Sequence, residues 1–136
     1  MDLKLTHFFV NVHDHEEALA FYRDVLGFEV RVDARLETMR WLTVGPKSQP
    51  DIELGLSVPD ELYAPAAAGA MKDIMAMGLL TAGIFKTEDC DATFERVRAS
   101  GAEVLQEPID QPYGVRDCAF RDPSGNAIRF SEVLKV

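Results

Sequence analysis

The side chains able to do chemistry in this 136-residue chain are scattered, not gathered into a motif. No GxSxG, GxGxxG or phosphate-loop pattern occurs, so the usual local signatures of acyl transfer, dinucleotide binding and nucleotide hydrolysis are missing. Two cysteines, Cys90 and Cys118, make neither a CxxC site nor a disulfide framework. Cys90 stands near a helix start, where a thiolate is favoured, but on the apolar face of that helix. It and Cys118, beside Phe120, are expected to be packing thiols. His13 and His15 flank Asp14. Residues i and i+2 do not share a helical face, so these two are expected in solvent and not as a ligand pair. The remaining candidates are His7, Phe9, Asn11, Trp41, Glu53, Tyr113 and Arg129. His7 suits a pocket base or hydrogen-bond donor, or a plain neighbour of Glu53. Trp41 and Phe9 could stack a flat ligand, since aromatic faces offer area at little entropic cost, or could pack in the core. Tyr113, beside Gly114, could close over a cleft or stand as a surface aromatic.

Strand alternation decides where most of these candidates point. In His7 to Val12, Phe8, Val10 and Val12 would face a helix and His7, Phe9 and Asn11 the other way. In Met39 to Val44, Leu42 and Val44 face inward and leave Trp41 and Thr43 opposite. In Asp51 to Val58, Ile52, Leu54, Leu56 and Val58 form the apolar face, against Asp51, Glu53, Gly55 and Ser57. In Ala127 to Leu134, Ile128 and Phe130 pack inward and leave Ala127, Arg129 and Ser131. The polar sets must face something wet or functional.

Two amphipathic helices give these strands something to cover. Asp14 caps the first, with Glu17 three residues on and Glu16 and Glu17 at the positive end of the helix dipole. Ala18, Phe21, Tyr22 and Val25 form its buried face, and Gly27 ends it. The second starts near Asp89, buries Cys90, Phe94 and Val97, and stops at Gly101. The two glycines lie 74 residues apart, and each half runs strand, helix, then three strands. The chain therefore divides into a module over 5–58, a linker over 59–79 and a module over 80–135. Within the linker a helix follows Pro65, with Ala67, Met71 and Ile74 as its apolar stripe. Asp122-Pro123-Ser124-Gly125 carries a type I turn signature and joins the last two strands as a hairpin.

Composition narrows the partners. The net charge is −9, which disfavours nucleic acid and anionic membranes, since both reward clustered Lys and Arg. The most apolar stretch, Ala76 to Phe85, is about half of the roughly 20 residues a membrane span needs. No basic region leads into a long apolar one at the N-terminus. A cytosolic, single-domain protein is expected.

In order along the chain, the His7 to Val12 strand, Ala18-Leu19-Ala20-Phe21-Tyr22, Val25-Leu26-Gly27-Phe28, Arg98-Ala99-Ser100-Gly101, Glu107-Pro108, Gln111-Pro112-Tyr113-Gly114 and Arg121-Asp122-Pro123-Ser124-Gly125-Asn126 resemble the vicinal oxygen chelate superfamily. That superfamily includes glyoxalase, bleomycin-resistance proteins and extradiol dioxygenases. The resemblance covers nearly the whole chain. It implies an α+β fold in which two βαβββ modules form a curved mixed sheet around a cleft, with helices outside. It also implies a homodimer.

Enzymes of the superfamily usually hold a divalent metal with four side chains, two per module. His7 matches the first position and Glu53 the second. The third falls on Ala82, or on Thr81 with a one-residue slip, and the fourth on Arg129. Alanine has no donor atom and a guanidinium cannot ligate a metal. Such sites normally supply three or more ligands. The resemblance is thus to a member depleted of metal ligands, and Arg129 is expected to reach the former metal site and pair with Glu53. That pair would either orient a polar ligand or bridge the modules. The function implied is metal-free and cofactor-free binding or sequestration of a small, partly aromatic compound. The alternative is a metal-dependent lyase, isomerase or dioxygenase of the glyoxalase type.

Overall fold

A computed structural model describes residues 1–135. The first module contains β1 (His7–Asn11), α1 (His15–Leu19), β2 (Glu29–Arg35), β3 (Arg40–Gly45) and β4 (Glu53–Ser57). The linker carries α2 (Pro59–Leu62) and α3 (Pro65–Ala76). The second module contains β5 (Thr81–Lys86), α4 (Cys90–Ala99), β6 (Val104–Asp110), β7 (Val115–Arg121) and β8 (Ala127–Val133). The expected α+β class and the paired βαβββ order are both present. The hydrogen bonds divide the strands between two four-stranded sheets, ordered β1-β4-β3-β2 and β5-β8-β7-β6. In each sheet the first and last strands of the module run parallel and the other pairs antiparallel.

Helix starts and stops follow their local chemistry. Asp14 accepts the Glu17 N–H at 2.8 Å and Asp89 the Ala92 N–H at 3.0 Å, satisfying donors that a helix start otherwise leaves unpaired. Gly27 and Gly101 take φ of +77° and +90° and turn the chain out of the helices. Past Leu19 the first helix widens into a π-helical stretch over Ala20–Val25, with the Leu26 N–H donating to the Phe21 carbonyl. A 3.6-residue pattern cannot distinguish that turn from ordinary helix.

One apolar core joins the modules. Val10, Val12, Leu54, Leu56, Phe21 and Tyr22 come from the first, and Phe94, Val97, Phe120, Ile128 and Phe130 from the second. Phe28 meets Phe85 across the seam at 5.3 Å between ring centroids. A polar latch lies beside it. The buried Asp122 carboxylate accepts four hydrogen bonds, from Tyr22 OH at 2.7 Å and from Ser124 N, Asn126 N and Asn126 Nδ2, each at 2.9 Å. Asn126 Nδ2 also donates to the Asn11 carbonyl at 2.8 Å, and His13 N to Ser124 Oγ at 2.9 Å. The type I turn therefore fastens the second module to the end of β1. Burial, with Asp122 as neighbour, pushes the Tyr22 phenol well above its ordinary pKa.

Two expectations are corrected. His15 is buried, not solvated. Its Nε2 lies 3.0 Å from the Leu56 carbonyl and its Nδ1 3.8 Å from Glu61, partners that come from β4 and α2 and are remote in sequence. In α3 the buried residues are Ala68 and Met75, while Ala67 and Ile74 are exposed and Met71 is half-buried. The apolar stripe is rotated by about one residue, because Ala and Met occur on both sides of this helix.

Tyr22→Phe removes one of the four donors to a buried carboxylate. Unfolding in urea should show a loss of about 1–3 kcal/mol with the fold retained. A loss below about 0.5 kcal/mol would mean that the phenol adds nothing net to the latch.

Candidate functional site

Sheet register gathers the candidates of the first module. His7 pairs with Glu53 and Phe9 with Gly55 along β1 and β4, so all four lie on the face opposite the core, together with Trp41 and Thr43 of β3. Three rings form a platform there. His7 lies 6.5 Å from Phe9 and 6.2 Å from Trp41, and Phe9 meets Trp41 edge-on at 5.8 Å. Gly55 makes the platform possible: a Cβ built there would stand 2.5 Å from the Phe9 ring. Only a bare backbone lets that ring lie down on the sheet. Phe9 is 52% exposed, so it does not pack in the core.

Glu53 borders the platform. Its Oε1 accepts the Thr43 hydroxyl at 2.6 Å, and its Oε2 faces His7 Nε2 at 3.6 Å. Thr43 is fully buried and also accepts the Val32 N–H at 3.1 Å. That contact is opened by the register shift in β2 between Val30 and Val32.

Arg129 has different partners from those expected. It donates through one terminal nitrogen to Gln106 Oε1 at 2.9 Å, and the same nitrogen stands 3.3 Å from Asp117 Oδ2. Among the described residues it forms no ion pair with Glu53. The reason is cross-strand geometry. Arg129 pairs with Ala119, and Asp117 is two residues along the same face of β7, a diagonal within reach of a long side chain. Asp117 is buried, and its Oδ1 accepts from Gln106 Nε2 at 2.7 Å and Gln111 Nε2 at 3.0 Å. Burial pushes its carboxyl up, but those two amides and the Arg129 charge outweigh it, and the net direction is down.

Ala82 does not face this side. It is fully buried in the core. Thr81 pairs with Ala127, and after a register shift at Gly83, where φ is +95°, Ile84 pairs with Arg129. The open face at the third metal position thus carries Thr81 and Ile84. A hollow of about 410 Å³ lies there, walled by Thr81, Ile84, Leu105, Gln106, Ala119 and Arg129. A larger crevice of about 900 Å³ opens between the modules on the core side, walled by Phe8, Phe28, Phe85 and Phe130. Of the candidates only Ala82 borders it, so it is not the site.

Tyr113 is 70% exposed in the β6–β7 turn and touches none of the other candidates through a ring contact or hydrogen bond. Asn11 lies on the platform face, and its carbonyl is held by Asn126. Cys90 and Cys118 are buried and free, and burial pushes the Cys118 thiol up to about 12. Among the described residues no group of three His, Cys, Asp or Glu could hold a metal ion. His7 and Glu53 are two donors without a third.

Asp117, Gln106 and Gln111 are members of the site that the sequence reading did not single out. For Asp117 the signal was the alternation Asp117-Cys118-Ala119-Phe120. Once Cys118 and Phe120 face the core, Asp117 must face the cleft.

The sequence profile of the Glyoxalase/Bleomycin resistance protein/Dioxygenase superfamily matches residues 4–130. The crystal structure of UcmS2 superposes with a TM-score of 0.90 at 37% identity, over 96% of this chain and 98% of that one. TnmS3, an antibiotic binding protein from Streptomyces sp. CB03234, gives 0.76 at 30% identity over 97% of each. The uncharacterized protein YurT of Bacillus subtilis (strain 168) is 34% identical over 119 residues, 87% of this chain and 90% of its own.

The Asp117 carboxyl is held low in the folded chain, so its contribution to stability is present above the unfolded value of about 3.9 and is lost as pH falls through the lower folded value. Thermal melts between pH 2 and pH 6 should therefore show a shallower acid limb for Asp117→Asn than for the parent. Superimposable limbs would show that the group carries no linkage.

Proposed function

Because this chain belongs to the Glyoxalase/Bleomycin resistance protein/Dioxygenase superfamily, we propose that it binds a small, partly aromatic molecule on the open faces of its sheets, with no metal ion of its own, as a cytosolic homodimer. The observation that carries this reading is the platform of His7, Phe9 and Trp41 laid over Gly55. Offset and edge-on rings supply a rigid apolar surface for another flat ring. The hollow beside Arg129 adds apolar walls and a hydrogen-bonding end, the usual make-up of a small-molecule site. TnmS3 is an antibiotic binding protein over nearly the same length, which supports binding rather than turnover.

The donor set does not fit the metal of the superfamily's enzymes. His7 and Glu53 offer two ligands, and the fourth position holds a permanent cation.

The dimer rests on the sheet edges. β1 and β5 each end a sheet, and they expose Phe9 and, at 69%, Ile84. Unpaired edges with apolar side chains invite a partner. A second copy laid along them would bring the platform of one chain beside the Arg129 hollow of the other. Two buried free thiols suit a reducing compartment. No helix is long and apolar enough to cross a membrane.

Trp41 is the single tryptophan, so emission reports directly on the platform. Neutral bicyclic aromatics should quench it saturably, and dialysis against a chelator should leave their affinity unchanged. Trp41→Ala should weaken binding at least several-fold with little change in melting temperature. Binding that disappears with the chelator would replace this reading with the metal-dependent one.

In sedimentation velocity the parent chain should run at twice the monomer mass. Phe9→Glu and Ile84→Glu should each shift it toward the monomer. A parent chain that sediments as a monomer at all concentrations would remove the dimer from the proposal.

A further inference from the structure

The second sheet's open face has a feature that the aromatic platform does not explain. A carboxylate lies at its floor, with the Asp117 side chain only 2% exposed, and a cation stands over it. One terminal nitrogen of Arg129 is occupied by Gln106 and Asp117. Its Nε and other terminal nitrogen have no protein partner among the described residues and are not buried. Arg129 borders a hollow whose other walls include Ile84, Leu105 and Ala119. The hollow therefore offers a fork of donors in apolar surroundings, with the fork's charge already matched from behind.

We propose that Asp117 sets ligand choice here: with Arg129 neutralised, the hollow accepts a neutral carbonyl oxygen on an aromatic ring system and discriminates against a carboxylate. The inference rests on the ligand-binding reading above and deepens it. Coulomb energy falls as 1/r. A carboxylate about 4 Å from the guanidinium and about 7 Å from Asp117 loses more than half of its attraction to the repulsion behind it. What is left must offset the removal of a charged group from water beside Ile84 and Leu105. A ketone, quinone or amide oxygen keeps the hydrogen bonds from Arg129 and bears a far smaller desolvation cost. The chain's net charge of −9 acts in the same direction. Asp117 touches no ligand in this scheme; it is a positioning residue that acts through Arg129.

The test compares 2-acetonaphthone with 2-naphthoate, which share a ring system and differ in carbonyl against carboxylate. Calorimetric titration at pH 7 should show the ketone binding the parent chain at least tenfold more tightly. The preference should persist in 0.5 M NaCl, because a partly buried pair is screened far less than the surface charge. Asp117→Asn should move the ratio at least tenfold toward the naphthoate, a change that loss of a merely structural carboxylate would not produce. Arg129→Gln should weaken the ketone through loss of its donors and should weaken the naphthoate further, because Asp117 then repels it uncompensated. The inference is overturned if the naphthoate binds the parent as tightly as the ketone, or if folded Asp117→Asn keeps the parent's ratio. Should Asp117→Asn not fold, an Arg129→Gln chain that binds the naphthoate as tightly as the ketone overturns it equally. If neither probe binds the parent at millimolar concentration, the ligand-binding reading falls and the inference falls with it.

Discussion

The Asp122 carboxylate holds the arrangement together. It sits in a turn between β7 and β8, but the Tyr22 hydroxyl, the Asn11 carbonyl and the His13 N–H tied to that turn belong to the other module. Tyr22 reaches it from the first helix, and Asn126, which it orients, reaches the end of β1. A buried carboxylate without a cation would ordinarily be costly. Here four donors replace its water shell, and each donor is fixed by a turn or a packed helix. Apolar contact across the seam, such as Phe28 on Phe85, is tolerant of sliding. The hydrogen bonds are not, so they set the register in which one module sits against the other. The position of β1 relative to β8, and with it the relation of the two open faces, follows from that register.

Much of this was legible along the chain. Asp14 and Asp89 announced their helices because capping is local chemistry. Gly27 and Gly101 announced the ends because few residues tolerate a positive φ. Strand faces followed from alternation, and they put His7, Phe9, Trp41, Glu53 and Arg129 on the open sides. What escaped came from strand register, from neighbours remote in sequence and from an ambiguous composition. Ala82 falls on the core face next to Thr81, and the register shift at Gly83 brings Ile84 to the open side opposite Arg129. Arg129 was assigned to Glu53 when Asp117, on the adjacent strand, lay nearer. His15 gained its burial from β4 and the linker. The stripe of α3 was ambiguous because alanine and methionine sit on several of its faces.

The two sheets have diverged in chemistry while keeping their topology. The first presents rings with one carboxylate and one imidazole; the second presents amides, a guanidinium and aliphatic walls. Each has a buried polar residue beneath its exposed ones, Thr43 under Glu53 and Asp117 under Arg129. In each case the buried group fixes the orientation of the exposed one. Glu53 and Arg129, which the resemblance sets at metal positions, are thus each anchored by a buried partner within the protein.

Gly55 has a consequence beyond making room. The Phe9 ring rests on backbone, at a distance no side chain could share, and Trp41 meets it edge-on. Its rotamer freedom is therefore surrendered when the chain folds, not when a guest arrives. A surface aromatic normally gives up that freedom on complex formation, which weakens affinity. Here folding has already met the entropic cost, so the platform is preorganised, and a flat guest of the kind proposed would meet a surface whose shape does not depend on its presence.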